Sequence, residues 1–483
     1  MKNTKRTLCA VLAFSMLGLA GCGQQKESKS TDGEQNLPIV KWLVAGDSQS
    51  DLDTVVAKIN EYIEPKIGAS LDLQIIDGGS YQEKLQMLMS SGGDFDLCFI
   101  GYNNPYQSGV RKGGFLELDQ YLENSPLKND EDLKDVLDNA KYNGKIYGIP
   151  NVQIMTGCTG LIFNKKLADE YGLDYDSITC LEDCEPYLEW VKTTHPEIYP
   201  FRTGLYGGGW SFSKPADAIQ GVRVESDSGE NVNVVLQKDY EVGRLEAEKL
   251  HEWYEKGYIR KDVASVTDDI NEYNAGKYAL SRGAYKPGGA IENNMINPDN
   301  QIVLKRVGDA WMSYDAGLGC MTGISKRSKH PDEAFKLLEL VNTDPTLMNL
   351  ISYGVEGIHY TLVDGKVRKT ENSGYNMAAW QFGNVFNAYL IEGQEDDNVQ
   401  QTRELHKSAK QSAIKGFSFD ADNVRTEIAQ LETVRKKYKN IENGAENPAD
   451  YYDTYLQELE RAGEGTVKAE IEKQLKEWQN TLK

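Results

Sequence analysis

Between positions 39 and 100 the apolar residues recur at two different spacings. Residues 39–44 form a β-prone run, and Leu71, Leu73 and Ile75 repeat at every second position, as in a strand with one buried face. Between these runs Leu52, Val55, Val56, Ile59 and Ile63 recur at helical spacing, with Pro65 expected near the end of the helix. Leu85, Leu88 and Met89 mark a second helix over 81–90. Residues 97–100, Leu-Cys-Phe-Ile, lack polar alternation, which suits a strand covered on both faces, and the flanking Gly92-Gly93 and Asn103-Asn104-Pro105 favour strand over buried helix. Strand, helix, strand, helix, strand predicts a parallel sheet with right-handed crossovers. Ligands are met beyond the carboxyl ends of such strands, so Gly101, Tyr102, Asn103, Asn104 and Tyr106 stand where a ligand is expected.

Further along, 145–150 reads as a short strand stopped by Pro150, and 159–164 starts another. An interdomain crossing is expected near 151–155. A second lies in the Gly-rich stretch 314–322, followed by a helix over 331–342, so the chain leaves its first domain and returns. Three helices close the sequence, over 424–438, 448–462 and 466–482. Their apolar residues, Leu456 with Leu459 and Ile471 with Leu475 and Trp478, are expected to pack back onto the second domain, the alternative being a docking surface for a membrane partner.

The amino terminus adds a location. Three basic residues, Lys2, Lys5 and Arg6, precede an apolar run over 8–20 that is shorter than the roughly 20 residues of a membrane span. The run ends in Leu19-Ala20-Gly21-Cys22, which resembles the bacterial lipobox, where the cysteine is lipidated and becomes the first residue of the mature chain. Long acyl chains, at about 0.8 kcal/mol per buried methylene, hold a protein on a membrane without a spanning helix. Residues 23–37 are small and polar, as in a flexible tether.

At 483 residues the chain is too long for one core, and its formal charge of −21 repels nucleic acid and anionic lipid surfaces while favouring solubility. Five cysteines follow Cys22. Cys180 and Cys184 have no second ligand pair at zinc-finger spacing; Cys98, Cys158 and Cys320 sit in apolar or Gly-rich runs as small buried hydrophobes, with a bridge between the last two as the outside alternative. No metal and no cofactor is expected. The five histidines form no H-x-x-x-H pair, neither a nucleophile-elbow nor a P-loop pattern occurs, and the calcium-loop imitation at Asp420 and Asp422 lacks its third ligand and glycine. A non-enzymatic role follows, a two-carboxylate glycosidase being the alternative.

The order of segments is similar to that of the extracellular solute-binding proteins of ABC importers, the family of maltodextrin-binding protein. These segments are VKWLV, GGDFDLCFI, KIYGIPNVQ, TGLIFNKKL, GKYALSRGAYKPG and GLGCMTGISKRSKHPDEAFKLLELV. The end of the chain, from YGVEGIHYT through GFSFDADNVRTEIAQ to the last helix, further resembles a Firmicutes lipoprotein subgroup with an extra carboxyl-terminal domain of unassigned function. The resemblance implies an α/β fold of two hinged lobes, with 38–152 plus 318–380 as lobe 1 and 153–317 plus 381–483 as lobe 2. It further implies a carbohydrate gripped between the lobes, delivery to ABC permease subunits, and a monomer anchored through Cys22 on the outer face of the cell membrane. A lipoprotein sensor for a histidine kinase is a further alternative.

A ligand closes two lobes only through contacts with both, so strand ends and crossings supply the candidates. Sugars need flat apolar faces beside amides and carboxylates. From the first lobe come Asp47, Ser48, Tyr102, Asn103 and Asn104, and from the crossing Asn151 and Gln153. The second lobe offers Trp210, Arg282, Tyr285, Lys286 and Trp311, and the returning segments Tyr353, Glu356, Trp380 and Asn384. Arg282 and Lys286 would suit an acidic sugar.

Overall fold

The computed structural model describes residues 37–101, 106–204, 207–227, 231–266, 268–371 and 373–481. The leader, Cys22, residues 23–36 of the tether, Tyr102, Asn103 and Asn104 lie outside the described residues. Among the described residues, no helix is long and apolar enough to cross a membrane.

The first strand, Ile39–Ala45, pairs in parallel with Ser70–Ile76 on one side and Leu97–Gly101 on the other, as the alternation of strands and helices predicts. The sheet then changes direction. Cys320–Ile324 returns antiparallel to Leu97–Gly101 and pairs with the short edge strand Ile149–Pro150. Pro150 suits that edge, since it has no N–H to donate to a further neighbour. The expected strand over 145–150 is split, because Lys145–Ile146 pairs instead with Lys141–Tyr142 in a hairpin. Pro65 lies inside the helix Leu52–Ile67, which runs on to Gly68 in the left-handed conformation.

A second five-stranded sheet runs in the order Lys410–Gln411, Ile302–Met312, Gly157–Asn164, Tyr278–Ala284, Tyr199–Arg202. Each sheet has its own core. The first is built around Trp42, Leu43, Ile59, Leu97 and Phe382, the second around Phe163, Tyr187, Phe201 and Trp253. Residues 381–388, expected with the second lobe, pack on the first core instead. Phe382 is fully buried with its ring edge-on to Trp42 at 5.0 Å, and Val385, Phe386 and Ala388 lie against the same core. Gly383 makes this docking feasible, since a Cβ there would stand 2.6 Å from the Val341 carbonyl oxygen.

The closing helices Arg425–Lys437, Pro448–Arg461 and Glu464–Thr481 lie where their apolar spacing puts them. They fold onto the antiparallel sheet Asp217–Ile219, Val222–Asp227, Asn231–Val235 and onto the helix Glu241–Glu255. Leu431, Leu459, Ile471 and Leu475 share a third core with Ile219, Val224 and Ala247, so these faces are covered by the chain itself. Cys98, Cys158, Cys184 and Cys320 are buried, and none of these or Cys180 is bridged.

Three passages of chain meet between the two sheets. The Asn151 N–H donates to the Cys320 carbonyl at 2.9 Å, Val152 donates to Gly383 at 3.0 Å, and Val385 donates back to Val152 at 3.0 Å. Next to them the Met155 N–H donates to Nε2 of His406 at 3.0 Å, a bond that only the neutral imidazole accepts. Two ion pairs also join the sides. Arg403 grips Asp132 with both ends of its guanidinium at 2.9 and 2.8 Å, and Arg111 reaches Asp420 at 2.6 Å and Asp422 at 3.4 Å. The acidic pair that imitates a calcium loop is thereby engaged by a cation.

Two outcomes follow. Trp42→Ala removes a fully buried ring and should cost about 3–5 kcal/mol in denaturant unfolding; a cost under about 1 kcal/mol would contradict its core role. Burial pushes the His406 imidazole below the ordinary histidine range. Folded protein therefore resists a proton that the unfolded chain takes up, so this contribution is full above about pH 6.5 and is lost as pH falls below it. Melting profiles of His406→Gln should lose less stability than the parent between about pH 6.5 and 5; parallel profiles would contradict the assignment.

Candidate functional site

Two adjoining hollows, of about 370 and 600 Å³, open between the sheets and share Gln153, Ile154 and Lys286. Their size is that of small-molecule sites in general. Residues packed on the first core, Trp380 and Phe386 among them, and residues of the second sheet's strands, Ile162 and Leu304, line them, so a ligand here touches both sides of the chain.

Trp380 dominates the first hollow, and its position is set locally. It sits in the single 3-10 turn Ala379–Gln381, and Gln381 clamps that turn to the end of the first strand: its Oε1 accepts from the Ala45 N–H at 2.8 Å and its Nε2 donates to the Ala45 carbonyl at 2.6 Å. Phe99 braces the indole edge-on at 5.5 Å. The Trp380 carbonyl accepts from the Cys320 thiol at 2.8 Å and the Asn151 amide at 3.5 Å. Burial holds the Cys320 thiol up at about 12, so it is a neutral donor. In the same lining, Tyr353 ends the helix Pro345–Tyr353 and donates its hydroxyl to the Tyr389 carbonyl at 2.7 Å.

Lys286 faces both hollows and is ion-paired with Glu292. Tyr285 extends the strand Tyr278–Ala284 by one bond, donating its N–H to the Cys158 carbonyl at 2.8 Å, and lines the second hollow. Asn151 lines it too, although its amide is spent on the junction, accepting from Thr322 Oγ1 at 3.0 Å. The structure thus brings together six of the residues singled out from the sequence: Asn151, Gln153, Tyr285, Lys286, Tyr353 and Trp380.

The others lie elsewhere. Trp210 is in the second core, edge-on to Trp253 at 4.9 Å. Arg282 points to the opposite face of its strand from Tyr285, as the period of two requires, and pairs with Glu246 at 2.7 Å. Its charge is therefore met internally rather than by an acidic sugar. Trp311 donates its indole N–H to Asp217 at 3.3 Å and lines neither hollow. Asn384 is buried and caps the turn Val385–Asn387 through the Phe386 N–H at 2.9 Å. Glu356 borders a separate surface hollow, and Asp47 and Ser48 are exposed beyond the first strand without lining the cleft.

Several lining residues carry no sequence signal of their own. Phe386 and Tyr389 follow Trp380 closely, but only the docking of 381–388 on the first core turns them toward the hollow. Lys369 comes from the hairpin strand Lys366–Lys369; it donates to Asn376 Oδ1 at 2.6 Å, and burial pushes its amine below the ordinary lysine range. Tyr273 and Asp315 border the second hollow. The site therefore offers aromatic faces, amides and charged groups in one cleft. Among the described residues, no group of three or more His, Cys, Asp or Glu could hold a metal ion.

Comparison with known proteins agrees with this geometry. Over its full length the chain is 29% identical to a carbohydrate ABC transporter substrate-binding protein of Streptococcus pneumoniae serotype 4, covering 99% of that protein. A crystal structure of the N-glycan transport solute binding protein NgtS from Streptococcus pneumoniae superposes with a TM-score of 0.82 at 26% identity, over 92% of this chain and 100% of that one. The same protein in complex with Man1GlcNAc gives a TM-score of 0.74 over 91% of this chain and 99% of that one, at 26% identity. A domain of unknown function, DUF3502, matches 413–480, in agreement with the extra domain expected at the end of the chain. These relatives are transport components rather than enzymes. The model of the bacterial extracellular solute-binding proteins matches residues 46–346, most of the chain, and the protein is a member of that family.

Proposed function

We propose that this protein captures an oligosaccharide in the cleft between its two sheets and hands it to the permease subunits of an ABC importer. The observation that carries this reading is the meeting of Trp380 and Tyr353 with Gln153 and with Lys286, which follows the second sheet's strand Tyr278–Ala284, in one cleft. Aromatic faces hold the C–H faces of sugar rings, and amides and charged groups select among hydroxyls. The pneumococcal relatives add the ligand class, one being a carbohydrate transporter component and another crystallised with a mannose and N-acetylglucosamine glycan.

In this reading the residues around the first sheet form one lobe, now including 381–388, and those around the second sheet with the closing helices form the other. A ligand that touches both favours the closed arrangement by its differential affinity for it. The mature chain is a monomer held on the outer face of the membrane by lipid at Cys22.

Calorimetry against Man5GlcNAc, Man1GlcNAc, maltotriose and a uronic acid oligomer tests the reading. A micromolar ligand releases about 8.2 kcal/mol of binding free energy. Trp380→Ala should weaken the best ligand by about 30-fold or more, about 2 kcal/mol, with an unchanged circular dichroism spectrum. Trp311→Phe should leave affinity within about twofold. Equal affinity in Trp380→Ala and parent would remove Trp380 from the site, and shortened oligosaccharides after incubation would favour the glycosidase alternative. Separately, Cys22→Ala should release the protein from cells into the medium; retention at the membrane would contradict lipid anchoring there.

A further inference from the structure

A further cavity, of about 550 Å³, shares no lining residue with the cleft. It lies between the helix Glu241–Glu255 and the carboxyl-terminal helices Lys439–Glu442 and Pro448–Arg461. Glu246 and Arg282 come from the part of the chain matched to the solute-binding family, whereas Arg435, Glu442, Tyr452 and Tyr455 come from the part matched to the domain of unknown function. The cavity exists only where the two parts meet.

Its groups are left with unused bonding capacity. The Arg282 side chain is 4% exposed; its Nη1 serves Glu246 and the Gly208 carbonyl at 3.0 Å, but its buried Nε has no hydrogen-bond partner among the described residues. Among the described residues Arg435 donates only to the carbonyls of Gln220 and Gly221, at 3.5 and 3.1 Å. Glu442 is reached by water, yet the surrounding protein pushes its carboxyl above the ordinary carboxylate range against the pull of Arg435. It makes no hydrogen bond or ion pair among the described residues. Tyr452 accepts from Gln237 Nε2 at 3.1 Å, while the Tyr455 hydroxyl has no partner among the described residues. Two aromatic walls are held rigidly from behind, Tyr240 by the Arg223 guanidinium at 4.2 Å and Tyr452 by Arg244 at 4.5 Å.

Charge narrows the occupant. A simple anion would meet Glu442 and Glu246 as well as the guanidinium groups and Lys439, and a simple cation would meet Arg435, Arg282 and Lys439 as well as the carboxylates. A neutral ring with several hydroxyls uses both: its oxygens accept from Arg435, its O–H groups donate to Glu442 and exchange bonds with Tyr455, and its C–H face lies on tyrosine. We propose that this cavity is a second binding site for a single neutral sugar ring or a cyclic polyol of similar size, separate from the cleft and built by the closing domain. The site stands whether or not the cleft takes an oligosaccharide.

Saturation-transfer NMR and crystal soaking of the mature chain with D-mannose, N-acetyl-D-glucosamine, D-glucose and myo-inositol test this, with glycine betaine and L-glutamate as charged comparisons. At least one neutral compound should bind saturably and appear in this cavity. Its binding should persist in Trp380→Ala and weaken at least tenfold in both Glu442→Gln and Tyr455→Phe, whose melting should match the parent's. Saturable binding of the charged compounds alone, no saturable binding at all, or binding that survives both cavity variants but disappears in Trp380→Ala would each overturn the proposal. If one cavity variant fails to fold, the other decides alone.

Discussion

Three strands of chain passing between two sheets have to be tied to one another without filling the space they border. The ties are backbone bonds between Asn151 and Cys320, and between Val152 and both Gly383 and Val385, reinforced by the Asn151 amide against Thr322 and the Trp380 carbonyl. Each of these polar groups is buried or nearly so, and leaving any of them unpaired costs about 1–3 kcal/mol. The knot therefore fixes where the three passages stand. Trp380 is held at its edge, with its carbonyl committed to the knot and its indole against Phe99. Fold and cleft share one set of bonds.

The same junction explains why the two sides stay in register. Arg403 with Asp132 and Arg111 with Asp420 and Asp422 cross between them at the periphery, partly exposed and individually modest in energy. The burden falls on the apolar cores, each independently sheeted, and on a third core that binds the carboxyl-terminal helices to the antiparallel sheet. Those helices thus belong to the body of the protein, and Arg111 links them to the first side as well.

Much of this was legible in the sequence because local spacing governs it. The parallel strands, their helices and the closing helices follow from periods of two and of 3.6. What the sequence hid was decided by distant partners. Trp210 follows three glycines like a loop residue, yet Trp253 claims it for the core. Arg282 stands near a strand end that meets the cleft, but its face of the sheet belongs to Glu246, on a helix far away in sequence. Residues 381–388 read as part of the second side until the close fit of Gly383 against Val341 and of Phe382 against Trp42 draws them to the first. That displacement carries Phe386 and Tyr389 into the site, which no local pattern announces.

In the proposed mechanism a guest that touches both sides of the cleft pulls them together about the knotted passages. Small-angle X-ray scattering of the mature chain, alone and saturated with the oligosaccharide that binds most tightly, measures this directly. The radius of gyration should be smaller and the maximum dimension shorter when the ligand is bound. Superimposable curves at demonstrated saturation would contradict that mechanism.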